Sequence, residues 1–164
     1  MLWSEIDLSA AMWRIGAERT KNGLAHDVPL SAPAVAILSA LNRREGRDLV
    51  FGAGGGPFQG WSNAKSALDK RVLSKLRERD AKVEPKPWRL HDIRRTVATR
   101  MADLGVLPHV VEAVLNHVSG HKAGVAGIYN RASYAAEKRA ALKLWAEHVS
   151  ALVEAETANA ADQS

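Results

Sequence analysis

Four side chains in this sequence have the chemistry to act on a phosphate. His91 and Arg94 stand three apart at the expected start of a helix, which puts both on one face. Arg94 is permanently charged, and its planar fork can hold two phosphate oxygens. His91 can give or take a proton near neutral pH. His117 and Tyr129 follow, twelve residues apart. A tyrosine hydroxyl, with a pKa of about 10, is a poor nucleophile until a base or a positive field helps its proton leave. Arginines and histidines supply such a field. The small residues at 123–127 can bend the backbone and let Tyr129 reach into a cleft. Each feature also has a plain structural explanation: Arg94 as a surface charge, His91 as a helix-start residue, Tyr129 as a half-buried core ring.

Two other chemistries fit less well. His117 and His121 have the spacing of two zinc ligands on a helix, but Val118 stands where the metalloprotease motif needs Glu. Ser119-Gly120 would also break that helix. Ser/His/Asp hydrolysis lacks its Gly-x-Ser-x-Gly turn. No metal site and no cofactor are expected.

These residues need elements to position them. A chain of 164 residues is one domain's worth, long enough to bury a core without staples. It has no cysteine, which excludes thiol catalysis and disulfides and suits a reducing cytoplasm. No apolar run has the length of a membrane span. Residues 3–8 alternate as a strand does, and residues 12–20 and 26–30 are expected as two more strands, joined by a Lys21-Asn22-Gly23 turn. Pro29 places the last of these at a sheet edge.

Helices then dominate. Ser31 and Pro33 have the types that start a helix, with Val35, Leu38 and Leu41 on its inner face. A glycine-rich stretch at 52–60 lacks the Gly-Lys-Ser/Thr of a phosphate loop and is expected as a flexible connection. The next helix spans 61–79, with Ala64, Leu68, Val72 and Leu76 as its buried stripe. Another spans 90–104, with Ile93, Val97, Met101 and Leu104 inward, and stops at Gly105. Pro108 restarts a helix whose apolar residues are Val110, Val111, Val114 and Leu115, a pattern that Ser119-Gly120 interrupts. The last helix is expected over 134–153, with Leu142, Trp145, Val149 and Leu152 as its inner stripe. The fold class is therefore α+β, mostly helical, with a small antiparallel sheet near the N-terminus. Residues 1–153 form the domain and residues 154–164 a flexible acidic tail.

Charge is unevenly spread. The net charge is +5, yet residues 65–100 alone hold twelve bases and five acids. Such a concentration is the footprint of a phosphate-binding surface. Lys65, Lys70, Arg71, Arg89 and Arg95 within it are the expected phosphate contacts.

Read in order, the motifs resemble the catalytic domain of the tyrosine recombinases, the phage integrase family, in its prophage and genomic-island branch. The matching text is Leu2-Trp3-Ser4-Glu5-Ile6-Asp7, then Glu18-Arg19-Thr20-Lys21-Asn22-Gly23 with Val28-Pro29-Leu30-Ser31. Leu90-His91-Asp92-Ile93-Arg94-Arg95-Thr96 follows, then Val114-Leu115-Asn116-His117 and Ile128-Tyr129-Asn130-Arg131. The resemblance implies that Tyr129 attacks a DNA phosphodiester and forms a 3′-phosphotyrosyl bond. It implies that Arg94 holds the non-bridging oxygens, that His91 assists proton transfer or fixes the phosphate, and that His117 hydrogen-bonds it. Lys21, at the hairpin tip, is implied as the general acid for the departing 5′-oxygen. Double-stranded DNA at attachment sites is the implied partner, with self-association on it.

One departure stands out. The family pattern has a further catalytic arginine before the Leu-x-Trp-x-x-Ile-Asp strand, and nothing here matches it. Arg14 and Arg19 lie after that strand and do not take its place. The chain is therefore expected to be a carboxy-terminal piece of an integrase, with little activity alone. The rival expectations are a non-catalytic DNA-binding module and a type IB topoisomerase-like enzyme.

Overall fold

The computed structural model describes residues 1–117 and 134–161, with side chains to residue 158. It is an α+β fold, mostly helical. A three-stranded antiparallel sheet in the order β1 (Ile6–Asp7), β2 (Met12–Ile15), β3 (His26–Pro29) comes first. Its register pairs Ile6 with Trp13, Met12 with Pro29 and Ile15 with His26. β3 is an edge strand, so Pro29 withholds no ladder donor from a further neighbour. The strands are shorter than expected. Trp3–Glu5 is a 3₁₀ turn and so is Ala17–Arg19. In the first turn the Glu5 carboxylate accepts from the Leu2 N–H and the Trp13 indole, which pulls the chain out of the strand alternation.

Five helices follow among the described residues: α1 (Ala32–Ser39), α2 (Trp61–Arg79), α3 (Leu90–Asp103), α4 (Pro108–Val114) and α5 (Ala135–Ala161). Pro33 sits in the first turn of α1 as expected, but the Ser31 hydroxyl makes no capping bond. Its backbone carbonyl accepts from Val35 instead. The glycine-rich stretch has its Ala53 and Gly56 carbonyls held by Arg44 and Arg47.

The core lies where α3, α4 and the first half of α5 meet the sheet. Met101 is completely buried there, with Val110, Val111 and Ala141 beside it. Leu38 of α1 and Trp3 are also buried. Periodicity identified only part of the α2 stripe: Leu68 and Leu76 are half-buried, but Ala64 and Val72 are exposed. α2 spans the expected residues, yet it buries no residue. Ile93, at the outer end of the α3 stripe, is half exposed. In α5, Leu142 and Trp145 are half-buried, whereas Val149 and Leu152 are exposed. The helix continues to Ala161, beyond the expected end at Val153.

Candidate active site

α3 and α4 end in the same way. In each, two N–H groups just past the helix return to carbonyls of its last turn. Gly105 and Val106 bond Ala102 and Met101, and Asn116 and His117 bond Ala113 and Glu112. This ending needs a left-handed residue after the cap. Gly105 provides it at φ 85° and Asn116 at φ 50°. Asn tolerates that conformation better than most residues with a side chain. The turn fixes the backbone of His117 directly against the end of α4.

Three successive carbonyls at that end are taken by side chains from three other places. The His26 Nε2 of β3 lies 3.2 Å from the Val114 carbonyl. Arg94 donates from Nη2 to the Leu115 carbonyl at 2.5 Å. Asn22 donates from Nδ2 to the Asn116 carbonyl at 3.2 Å and to its Oδ1 at 3.0 Å. A helix C-terminus carries partial negative charge on its unpaired carbonyls, so a guanidinium is favoured there. Arg94 keeps further N–H groups for an anion, because guanidinium has five donors and one is used.

These bonds bring together segments that are distant in sequence. Lys21 adjoins Asn22 at the hairpin tip, Gly23 turns the chain at φ 68°, and Lys21 is exposed. His91 shares the first turn of α3 with Arg94, and both are exposed. The Asp92 carboxylate caps that turn by accepting the Arg89 N–H at 2.8 Å. Lys21, Arg94 with His91, and His117 are thus the sequence-expected residues that gather at one place. Tyr129 and His121 lie outside the described residues.

The other tyrosine, Tyr134, packs its ring on His109, with centroids 5.1 Å apart. His109 is in the first turn of α4. Its Cα is eight residues before that of His117, roughly 12 Å away at ~1.5 Å per helical residue. Tyr134 therefore serves the far end of the helix.

Arg14 and Arg19 are occupied elsewhere. Arg14 pairs with Asp7 at 3.3 Å, and Arg19 with Glu5 at 3.1 Å. The Asp7 carboxyl is held down to about 2 by the Ala10 N–H, the Ser9 hydroxyl and Arg14. Among the expected DNA contacts, Lys70 and Arg71 are exposed on α2, and Arg89 and Arg95 flank the start of α3. Arg95 lies 3.6 Å from Asp92. Lys65 differs: Asp69 holds it at 2.6 Å, and its ammonium stands 3.8 Å from the Trp88 ring centre.

Sequence reasoning did not find the residues that join these segments. Asn22 was legible as a turn residue and Asn116 as part of a motif, but their pairing was not. The usable signal was Asn116 itself, a residue type that can end a helix in the left-handed conformation where Gly is absent.

No helix among the described residues is long and apolar enough to cross a membrane. No solved structure matches the chain. Prophage integrase IntA of Escherichia coli (strain K12) is 32% identical over 152 residues, covering 91% of this chain and 34% of that protein. Putative protein IntB of the same organism is 29% identical over 161 residues, covering 88% of this chain and 38% of that protein. The chain thus spans just over a third of the length of these curated relatives. The profile of the phage integrase family matches residues 1–136, most of the sequence. The chain belongs to the phage integrase family.

Proposed function

We propose that this chain carries the catalytic residues of a site-specific DNA recombinase, with Tyr129 as the nucleophile. The observation behind this reading is the meeting of three distant segments at the end of α4. The Lys21 hairpin arrives through Asn22, the His91–Arg94 turn through Arg94, and His117 stands in the turn itself. Phosphoryl transfer gains mainly from positioning and from charge on the equatorial oxygens, which fits cations and histidines held this way.

In this mechanism Arg94 and His117 hold the non-bridging oxygens of one DNA phosphate. The Tyr129 hydroxyl attacks phosphorus and its proton passes to His91. A bond from phosphorus to the tyrosine oxygen forms, and the bond to the 5′-oxygen breaks. Lys21 protonates the leaving 5′-oxygen. The 3′-phosphotyrosine keeps the ester, so a 5′-hydroxyl of another strand can reverse the step without a nucleotide cofactor. Lys70, Arg71, Arg89 and Arg95 contact flanking phosphates. Lys65 contributes least of the five, since Asp69 already compensates its charge. Attachment-site DNA is the partner, with self-association on it, in a bacterial cytoplasm.

A second reading is a DNA-binding module with little catalysis of its own. It draws on the pairing of Arg14 and Arg19 with Asp7 and Glu5, which leaves neither to join Arg94 on the phosphate. Loss of one stabilising donor of this kind costs ~100- to 1000-fold in rate. The 164-residue chain alone is then expected to cleave at trace level. The type IB topoisomerase reading has no observation in its favour.

Covalent trapping on a nicked attachment-site duplex tests the proposal, using this chain alone and fused behind the amino-terminal part of a longer family member. A protein–DNA adduct is expected with Tyr134→Phe and none with Tyr129→Phe, which removes only the hydroxyl. An adduct that survives Tyr129→Phe but disappears with Tyr134→Phe overturns the choice of nucleophile. DNA binding with no adduct under either condition favours the second reading.

A further inference from the structure

The two matching helix ends differ at one residue. At the end of α3 the left-handed position is Gly105, where an added Cβ would meet nothing within 4 Å. At the end of α4 the same position is Asn116, and its side chain is used. Asn22 donates to its Oδ1 at 3.0 Å, and Asn116 Nδ2 lies 3.4 Å from Asn22 Oδ1. The amide of Asn22 also closes its own turn, accepting from the Leu24 N–H at 3.1 Å. Both residues are half-buried, so the pair is shielded from water more than a surface contact. A hairpin tip that would otherwise move freely is joined to the turn before His117.

We propose that Asn22 is a positioning residue: its latch onto Asn116 sets where Lys21 stands relative to Arg94 and His117. The proposal rests on the recombinase reading above. Lys21 precedes the latch by one peptide, so its backbone is fixed while its side chain reaches outward. Among the described residues Lys21 has no carboxylate partner, which leaves its ammonium available to a DNA phosphate. Without the latch, Lys21 pays the entropy of ordering the hairpin tip each time it meets that phosphate.

DNA binding by the full chain, titrated with salt, tests this with a short duplex as probe. One phosphate contact contributes about 0.9 to the slope of log affinity against log salt. At 0.1 M salt that slope corresponds to about eightfold in affinity. Lys21→Ala is expected to lose about this much. Asn22→Ala should lose most of the same amount while the protein stays folded, with at most a small fall in melting temperature. Asn22→Asp, which removes the donor and adds a negative charge beside Lys21, should lose at least as much as Asn22→Ala. Asn116→Gly, which keeps the left-handed turn and its carbonyl, should lose less. The double variant Lys21→Ala/Asn22→Ala should bind no worse than Lys21→Ala, because Asn22 acts through Lys21. Additive losses in the double variant, or an Asn22→Ala protein that binds like wild type, overturn the latch and leave the recombinase reading standing. Absence of any DNA binding by the wild-type chain removes both.

Discussion

The molecule has a clamped half and an open arm. In the clamped half, α3, α4 and the start of α5 close on the sheet around Met101. Side chains bridge the elements there: His26, Arg94 and Asn22 hold the end of α4, and the buried Lys138 of α5 donates to the Asp27 carbonyl at 2.6 Å. The open arm is α2 with the distal turns of α5. Between them runs a groove of about 1000 Å³ lined by Val72, Leu76, Val149, Leu152 and Val153. Leu152 and Val153 are 55% and 59% exposed. Arg79 and Glu156 bridge the groove. Every sequence-expected catalytic residue that the structure describes belongs to the clamped half. The cations expected to bind DNA divide between the two. The proposed chemistry, which depends on close placement, would fall on the part held from several sides. Of the proposed phosphate contacts, Lys65, Lys70 and Arg71 lie on the arm, whereas Arg89 and Arg95 lie on the clamped half.

The largest effect that can test this contrast is at Met101. Its side chain is 0% exposed and ties α3 to the core. Met101→Ala removes that packing and leaves a cavity, which costs about 2–5 kcal/mol at such sites. Denaturant unfolding should show it as a lower midpoint. The equivalent change on the arm, Leu76→Ala, should have a much smaller effect. Equal losses at the two positions would show that the arm is packed as firmly as the core.

Trp145 stands at the border and has the next effect. It is half-buried on α5, with its ring 5.6 Å from that of His148. A buried Trp→Ala change costs about 3–5 kcal/mol. Half that burial gives roughly 2 kcal/mol in the monomer. Unchanged stability accompanied by loss of a dimer in sedimentation would assign Trp145 to a neighbouring copy and move the border of the clamped half towards the N-terminus of α5.

Legibility in the sequence follows the same division. The bounds of α2 were readable because Gly60 precedes it and its stripe repeats at helical spacing. Its exposure was not, because periodicity says which residues share a face and not whether anything covers it. Ile93 and Leu152 share helical spacing with covered residues and still face solvent for that reason. The identities of Lys21, His91, Arg94 and His117 came from motif order. What holds them, the bond between Asn22 and Asn116, joins residues 94 apart. No local pattern encodes such a pair. Glu5 misled in a similar way, as its carboxylate bonds accompany a 3₁₀ turn over Trp3–Glu5 and leave only Ile6–Asp7 of the expected first strand.

The smallest effect lies in the bridge across the groove. Arg79 holds the Glu156 carboxyl below its ordinary value of 4.5 through a hydrogen bond and its charge. A carboxylate with a depressed folded pKa contributes its stabilisation above the unfolded value. It loses that contribution as pH falls through the folded one. The bridge should therefore be intact from neutral pH down to about 4.5 and weaken only below it. Both partners are exposed, and such pairs add little to global stability and are screened by salt. Glu156→Gln should imitate low pH at pH 7. The expected result is an unchanged melting temperature, with faster amide exchange in α5 around residue 156 and unaltered exchange around Ala141. A fall in melting temperature approaching that of Met101→Ala would make the arm part of the cooperative core. Unaltered exchange near residue 156 would mean that apolar contacts along the groove, rather than the ion pair, hold the arm in place.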